Sequence, residues 1–463
     1  MSENRILKAG DIKTSEDALS LIKQRNIKRI KVAATDIDGI LRGKYISIVK
    51  FTSILESGLG FCDVIFGWDC HDELYAKDSV TGWSTAFPDA LGTIDLSSCR
   101  ELPLEENSLF FLLDFEGKEI HAKVCPRTIL KNVIKQGKEM GISFDASTEF
   151  EFFMFKETPA SVREKNYKNL EHFTPGMFGY SVLRNSVESE FYHDLMNLCL
   201  DMDMEIEGLH TETGPGVLEA ALVYDELLKT ADKAILFKTF TKVLAQQQGY
   251  MATFMAKWSG DYPGQSGHLH ISAKDENGKS IFYDENKEDT ISDEMRWFIG
   301  GQQKLMPELL AMIAPTCNSY TRLIPGFWAP TQATWGVDNR TCALRAITGS
   351  PKAQRVEYRV AAADINPYIA LAAAVGSGLW GIKNKIEPTS SIAGNAYDVD
   401  MGREYSFPKT LDQAADRLKN SKIAREIFGD VFVDHYSYTR EHEASEQLKA
   451  ITDWQLNRYF EII

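Results

Sequence analysis

Four segments of this chain place ionisable side chains at alternate positions, an arrangement that few folds can house. In STEFEFFMF, Glu149 and Glu151 alternate with Phe150, Phe152 and Met154. In SGHLHIS, His268, His270 and Ser272 alternate with Leu269 and Ile271, and in RVEYRV, Arg355, Glu357 and Arg359 alternate with Val356, Tyr358 and Val360. A strand turns successive side chains to opposite faces, so each segment presents one polar face and one apolar face. The fourth segment, LHTETGPGVLEAAL, puts Glu212 before a Gly-Pro-Gly turn and Glu219 on the strand after it. Any one pair alone reads as the solvated side of a half-exposed strand. All four together do not. Glutamate is a poor strand former, and so many carboxylates on one sheet face repel one another unless cations neutralise them.

Five glutamates and a histidine suit two hard divalent ions, Mg²⁺ or Mn²⁺, with the imidazole admitting Mn²⁺. Zinc fits less well without thiolates or an HExxH helix. Arg322, Arg340, Arg345, Arg355 and Arg359 follow close together in SYTRLIPG, DNRTCALR and QRVEYR. One such arginine reads as a surface ion pair. Clustered beside metal-binding carboxylates, they suit a transferring phosphoryl group and an anionic substrate. No GxxxxGK[ST] loop is present, so a nucleotide site here is not of the P-loop kind. The Gly-rich SGDYPGQSG directly precedes the His268 segment.

The 463 residues, 44% hydrophobic and 25% charged, can bury a large core and lean toward two domains. RIKVAATDIDG alternates, with Ile30, Val32 and Ala34 on one face, and pairs with a second strand expected at Lys44 to Ile48. The loop between them, Asp36 to Gly43, presents Asp36, Asp38 and Arg42. Residues 51–105 read as rich in turns and poor in helices, and SLFFLLDFEG with EIHAKV as a further strand pair. These elements predict a small mixed β domain over residues 1–115. From Pro126 onward amphipathic helices alternate with polar strands, the clearest helices falling at 225–248 and 367–386, so residues 116–463 are expected to form a larger α+β domain. The seven cysteines are scattered with no CxxC pair, which indicates neither a disulfide framework nor a thiolate zinc site. A net charge of -15 without a basic block argues against nucleic-acid and anionic-membrane partners. With no apolar run of spanning length and no signal-like start, a cytoplasmic enzyme acting on small molecules is expected.

In order and spacing, STEFEFF, HTETGPGVLE, ATFMAKW, SGHLHIS, NSYTRLIPG, NRTCALR, SPKAQRVEYR and NPYIALAA resemble the motifs of the glutamine synthetase family over essentially the whole chain. The resemblance implies an N-terminal β-grasp domain and a large catalytic domain whose curved antiparallel sheet admits ATP at one end and glutamate at the other. It also implies homo-oligomers of the ring-based dodecamer type, in which the β-grasp domain of one copy completes the neighbour's site. By motif position, Glu151, Glu212 and Glu219 match ligands of the metal near glutamate, and Glu149, His268 and Glu357 match ligands of the metal that holds the ATP phosphates. Arg340 and Arg345 match phosphate-contacting arginines. His270, Ser272, Lys352 and Arg355 match the nucleotide site, and Gly264, Arg322 and Arg359 the glutamate site. Asp36 matches an acidic residue that reaches the neighbour's ammonium site. The implied reaction forms γ-glutamyl phosphate, which an amine then attacks. Tyr397 in GNAYDVD sits where some bacterial members carry a regulatory adenylylated tyrosine, and here reads as an unmodified surface residue.

The departures bear on the second substrate. Ammonia-using members carry a glutamate two residues after the Pro-Gly of the RLxPG motif; here the segment is IPGFWAP, with Trp328 in that place. An indole cannot accept a proton from ammonium, but it offers an apolar wall or a cation-π face to a substituted amine. The asparagine usually found before the glutamate-binding glycine is replaced by Pro263, and the lysine-proline pair after ATFM becomes Lys257-Trp258. The expectation is therefore a γ-glutamyl amide synthetase acting on an alkyl-, poly- or aromatic amine. The alternatives are a glutamate-ammonia ligase, a catalytically silent relative, which six filled ligand positions argue against, and a guanidino kinase, whose pattern SGHLHIS and NRTCALR do not fit.

Overall fold

The computed structural model describes residues 7–463. Its first sheet contains β1 (Arg29–Thr35), β2 (Leu41–Ile46), β3 (Leu59–Cys62), β4 (Asp89–Glu101) and β5 (Ser108–Asp114), in the order β2-β1-β5-β4-β3. β1 and β5 run parallel, and the other neighbours are antiparallel. Alternation decides both faces. Ile30, Val32, Ala34, Leu109, Phe111 and Leu113 enter a core shared with the helices Ser15–Gln24 and Ile48–Ser57. Ala33, Phe110 and Leu112 point the other way, into the main core of the chain.

Three expectations for this region change. The second strand starts and ends earlier than Lys44 to Ile48, so Arg42 lies on β2 rather than in the loop. Residues 48–57 are helical: Ser47 caps the N-terminus by accepting from the Lys50 N–H, and Phe51 and Ile54, three apart, bury one face. EIHAKV forms no strand, because β5 is already flanked by β1 and β4 and offers no free edge. His121–Lys123 instead makes a short 3₁₀ turn, and the His121 Nε2 lies 2.9 Å from Asp63 Oδ2.

One buried ion cluster ties the two sheets' regions together. Arg127, on the helix Pro126–Glu139, donates to both oxygens of Asp232 at 2.8 Å, to Asp114 at 2.5 Å and to Asp95 at 2.7 Å. Asp95 and Asp114 belong to β4 and β5, whereas Asp232 lies on the helix Leu227–Gln247.

The second sheet has nine strands: β6 (Ser143–Phe155), β7 (Ile206–Thr211), β8 (Val217–Leu222), β9 (Asp225–Glu226), β10 (Met251–Thr253), β11 (Gly267–Lys274), β12 (Trp335–Val337), β13 (Leu344–Ile347) and β14 (Arg355–Tyr358). The order is β12-β13-β14-β11-β6-β8-β7, with β9 and β10 pairing to β6. The sheet is antiparallel except at one edge, where β12 and β13 run parallel. Phe150, Phe152, Leu269, Ile271, Val356 and Tyr358 enter the main core together with apolar side chains of the helices Leu227–Gln247, Asp293–Ile313 and Pro367–Asn384. The last of these starts where expected, the Asn366 side chain accepting from the Tyr368 N–H, and ends at Lys385 in the left-handed conformation. Among the described residues, no helix is long and apolar enough to cross a membrane.

Candidate active site

Strand register assembles the site. His268 stands opposite Glu149 on β11 and β6, Glu151 opposite Glu219 on β6 and β8, and His210 opposite Glu219 on β7 and β8. Glu357 stands opposite His270 across β14 and β11, and opposite Arg345 across β13. The polar faces of six adjoining strands thereby merge into one. Directly opposed side chains in a sheet sit close enough to interact, and here they do. His268 Nδ1 lies 3.4 Å from Glu149 Oε2 and 3.5 Å from Glu357 Oε1, and His270 Nε2 lies 3.2 Å from Glu149 Oε1. Glu357 also accepts from Arg345 Nη1 at 2.9 Å and from Arg359 Nη1 at 2.5 Å. Glu151 is held by the Ser266 N–H at 3.0 Å and the Ser266 hydroxyl at 2.5 Å. His210 lies 3.9 Å from Glu212 and 4.0 Å from Glu219.

Two cavities open on either side of this cluster, and Glu149 lines both. The first, of about 440 Å³, holds the other four glutamates with Gly264, His268, Arg322, Trp328, Arg340, Arg345 and Arg359. The second, of about 640 Å³, holds His270, Ser272, Lys352 and Arg355. The two spaces thus share one wall at Glu149. Gly264 has a steric reason to be glycine: a Cβ there would stand 2.6 Å from Arg322 Cγ and 2.7 Å from the Ala256 carbonyl oxygen. Arg322 is buried and oriented by donating to the Val360 carbonyl at 2.8 Å and the Arg359 carbonyl at 3.3 Å. Burial lowers its pKa to about 10, so it still carries its charge at neutral pH.

The acids differ in protonation. Burial, then the charges of Glu151, Glu149 and Glu212, push Glu219 up to about 9. Burial also acts to raise Glu149, but the His268 and His270 imidazoles outweigh it and hold that carboxyl well below its usual range. Glu357 is lowered to about 2, burial being overcome by the charges of His268, Arg359 and His270. Burial and the nearby Arg359 lower His268, leaving a neutral imidazole able to act as a ligand. Such a set, crowded enough to keep Glu219 protonated when no cation is bound, fits hard divalent ions, which relieve the repulsion between carboxylates. Among the described residues, two groups have ligand atoms close enough to hold an ion: Glu149, His270 and Glu357, and His210, Glu212 and Glu219.

One expected site residue stands apart. Asp36 lines neither cavity. It is buried, pushed up to about 7 by its burial and by Asp38, and its carboxylate accepts from Arg42 Nε at 2.7 Å and from the Asp38 and Ile40 N–H groups. Tyr397, expected as a surface tyrosine, is half-buried. Its loop is fastened to the NRT turn, Asn339 Nδ2 donating to the Gly394 carbonyl at 2.7 Å and the Ala396 N–H to Thr341 Oγ1 at 2.9 Å. Its hydroxyl is buried, with no hydrogen-bond partner among the described residues.

Among the residues of the first cavity that escaped sequence reasoning are Tyr180, His210 and Phe327. His210 precedes Glu212 by two and shows the same alternation that singled out the other pairs. Tyr180 lies in a loop without periodicity. It reaches the site by stacking on His210, with centroids 4.3 Å apart and planes 23° apart. Phe327 and Trp328 face the cavity from an exposed turn in which Trp328 adopts φ +59°, a left-handed conformation that costs a bulky residue energy.

The family described as glutamine synthetase, catalytic domain, matches residues 123–459. The chain is 45% identical to Type-1 glutamine synthetase 2 of Dictyostelium discoideum over 465 residues, covering 100% of this chain and 88% of that protein. It is 34% identical to a glutamate–isopropylamine ligase of a Pseudomonas species over 446 residues, covering 96% and 97%. The solved structure of GmaS without ligand has the same fold, with a TM-score of 0.83 at 23% identity, covering 96% of this chain and 99% of that one. Register, donor set and relatives agree that the chain belongs to the glutamine synthetase family of ligases.

Proposed function

We propose that this chain uses ATP to phosphorylate the γ-carboxylate of glutamate and joins the resulting acyl group to an organic amine. Trp328 carries the reading. It lines the same cavity as Arg322, Phe327 and Tyr180, at the sequence position where an ammonia ligase carries a proton-accepting carboxylate. The relative that acts on isopropylamine supports it. The 45% identical relative named glutamine synthetase favours the second reading, a glutamate-ammonia ligase.

In this scheme Glu151, Glu212 and Glu219 hold one divalent ion and Glu149, His268 and Glu357 the other, with His210 and His270 alongside. Bound Mg²⁺ or Mn²⁺ supplies positive charge against the phosphate oxygens. The protein's own groups do the positioning. Arg322 and Arg359, with Gly264 giving close backbone approach, seat glutamate. His270, Ser272, Lys352 and Arg355 seat the nucleotide. Arg340 and Arg345 stabilise the charge that develops on the transferring phosphoryl group and on the leaving phosphate. The five-stranded sheet is the β-grasp domain, residues 1–115, and its Asp36 loop serves the active site of a neighbouring copy in a ring-shaped homo-oligomer. Asn366 Nδ2 fixes that loop by donating to the Asp36 and Ile37 carbonyls at 3.1 and 3.3 Å.

Phosphate release with ATP, glutamate and a panel of amines tests the reading. At least one organic amine is expected to exceed ammonia in kcat/KM; ammonia exceeding every organic amine establishes the second reading instead.

Metal binding should depend on pH in one direction. Glu219, raised to about 9, is protonated in the metal-free protein at neutral pH. An ion that takes its carboxylate must displace that proton, so apparent affinity rises with pH up to about 9. The same shift sets the sign for folding without metal. The stabilisation from protonated Glu219 is complete below its unfolded pKa and is lost as pH rises through its folded one. Calorimetric titration with Mn²⁺ in buffers of different ionisation enthalpy should show net proton release; none would remove Glu219 from the ligand set.

A further inference from the structure

Arg340 and Arg345 both line the first cavity but are held in different ways. Arg345 is fixed through its side chain, Nε donating to Asp338 Oδ1 at 2.9 Å and Nη1 to Glu357 Oε2 at 2.9 Å. Arg340 is exposed, and its guanidinium makes no hydrogen bond or ion pair among the described residues. It can be aimed only by the backbone that carries it.

That backbone is tied on both sides of Arg340. It leaves β12 through Asp338, which adopts φ +48°, and turns over Asn339 and Thr341. Asn339 uses its whole amide. Oδ1 accepts from the Thr341 N–H at 3.0 Å and the Thr341 hydroxyl at 2.7 Å, while Nδ2 donates to the carbonyls of Ile392 at 3.0 Å and Gly394 at 2.7 Å. The first pair closes an Asx turn around Arg340, and the second fastens that turn to residues 392–398. The Thr341 hydroxyl adds a further link by accepting from the Ala396 N–H at 2.9 Å. The 392–398 segment is itself anchored to β12, the Ile392 N–H donating to the Trp335 carbonyl at 2.9 Å. Gly336 permits this close approach: a Cβ there would stand 2.6 Å from the Ile392 carbonyl oxygen and 3.1 Å from Asn339 Cβ. Neither Asn339 nor Thr341 lines the cavity. Their bonds serve the residue between them, and a charge-stabilising group acts best when already fixed, because ordering a mobile cation costs free energy in the transition state.

Building on the proposed role of Arg340 in stabilising the transferring phosphoryl charge, we infer that Asn339 and Thr341, bonded to residues 392–398, are positioning residues that hold Arg340 for phosphoryl transfer. They act on the reaction through that guanidinium and touch no substrate.

Hydroxylamine attacks an acyl phosphate whether the natural acceptor is ammonia or an organic amine, so hydroxamate formation with ATP, glutamate and Mg²⁺ tests this independently of the acceptor. Thr341→Val removes the hydroxyl at nearly constant volume and is expected to lower kcat about tenfold, with KM for ATP and for glutamate changed by no more than about twofold. Thr341→Ser keeps the hydroxyl and should recover most of that loss. In an Arg340→Ala background, Thr341→Val should cost little more, because the group it positions is gone. A Thr341→Val variant that folds and keeps the original kcat overturns the inference, as does one whose effect multiplies in full with that of Arg340→Ala. Should circular dichroism show Thr341→Val unfolded, Asn339→Ala is read in the same way. Arg340→Ala keeping the original kcat would instead sink the phosphate role of Arg340 on which the inference rests, a result that the single variant reports by itself.

Discussion

Glu357→Gln is expected to lower kcat by about 10²- to 10³-fold, the loss typical when one charge-stabilising group is removed from a preorganised site. Glu357 binds Arg345 and Arg359 at once and lies 3.5 Å from His268, so one carboxylate sets the position of two guanidinium groups and an imidazole. Glutamine keeps the shape but loses the charge. Arg345 and Arg359 donate to different oxygens of Glu357, and a glutamine puts a donor NH₂ in place of one of them, while the ligand position it leaves is weaker for a hard cation. Phosphate release at saturating Mg²⁺, with circular dichroism to verify folding, reads the result. A variant that keeps the original kcat removes Glu357 from the reaction.

Arg127→Met is expected to destabilise the protein by about 3–5 kcal/mol, the usual cost of removing one partner from a buried ion cluster. Asp95, Asp114 and Asp232 converge on this guanidinium, whose side chain is 2% exposed. Methionine fills much of the volume but leaves three carboxylates facing one another. Lys131, which also reaches Asp114 at 2.6 Å, relieves only part of this. Urea unfolding followed by tryptophan fluorescence checks the magnitude, and a shift below about 1 kcal/mol, the size of a surface pair, would show the cluster to be peripheral. Because the aspartates come from both sheets' regions, the loss should appear in one cooperative transition rather than two.

The second sheet was legible in the sequence because a two-residue period survives any tertiary context: Glu149 with Glu151, and His268 with His270, could share a face only on strands. Register extended that legibility, since once β6, β8, β11 and β14 pair, their polar faces meet without further instruction. What stayed hidden depends on contacts between distant segments. Arg127 on its own reads as one more helical arginine, and its three aspartates lie in separate elements. Tyr180 sits in a loop, where no periodicity points to His210. EIHAKV was misread because its composition suits a strand, while the sheet order that denies it a partner is a property of the whole domain.

The residues most deeply tied to the fold and those on the aromatic side of the first cavity lie on different kinds of backbone. On β6 the carboxylates alternate with Phe150 and Phe152, which are fully buried, so a change on that strand is felt by stability and chemistry together. Tyr180, Phe327 and Trp328 project from loops and are all exposed to a large degree. Mutation at those three positions escapes the penalty that guards the strand. A lineage built on this framework is therefore free to change the aromatic side of the cavity while holding its carboxylate cluster constant, and new preferences there can arise by a few loop substitutions without passing through an unfolded ancestor.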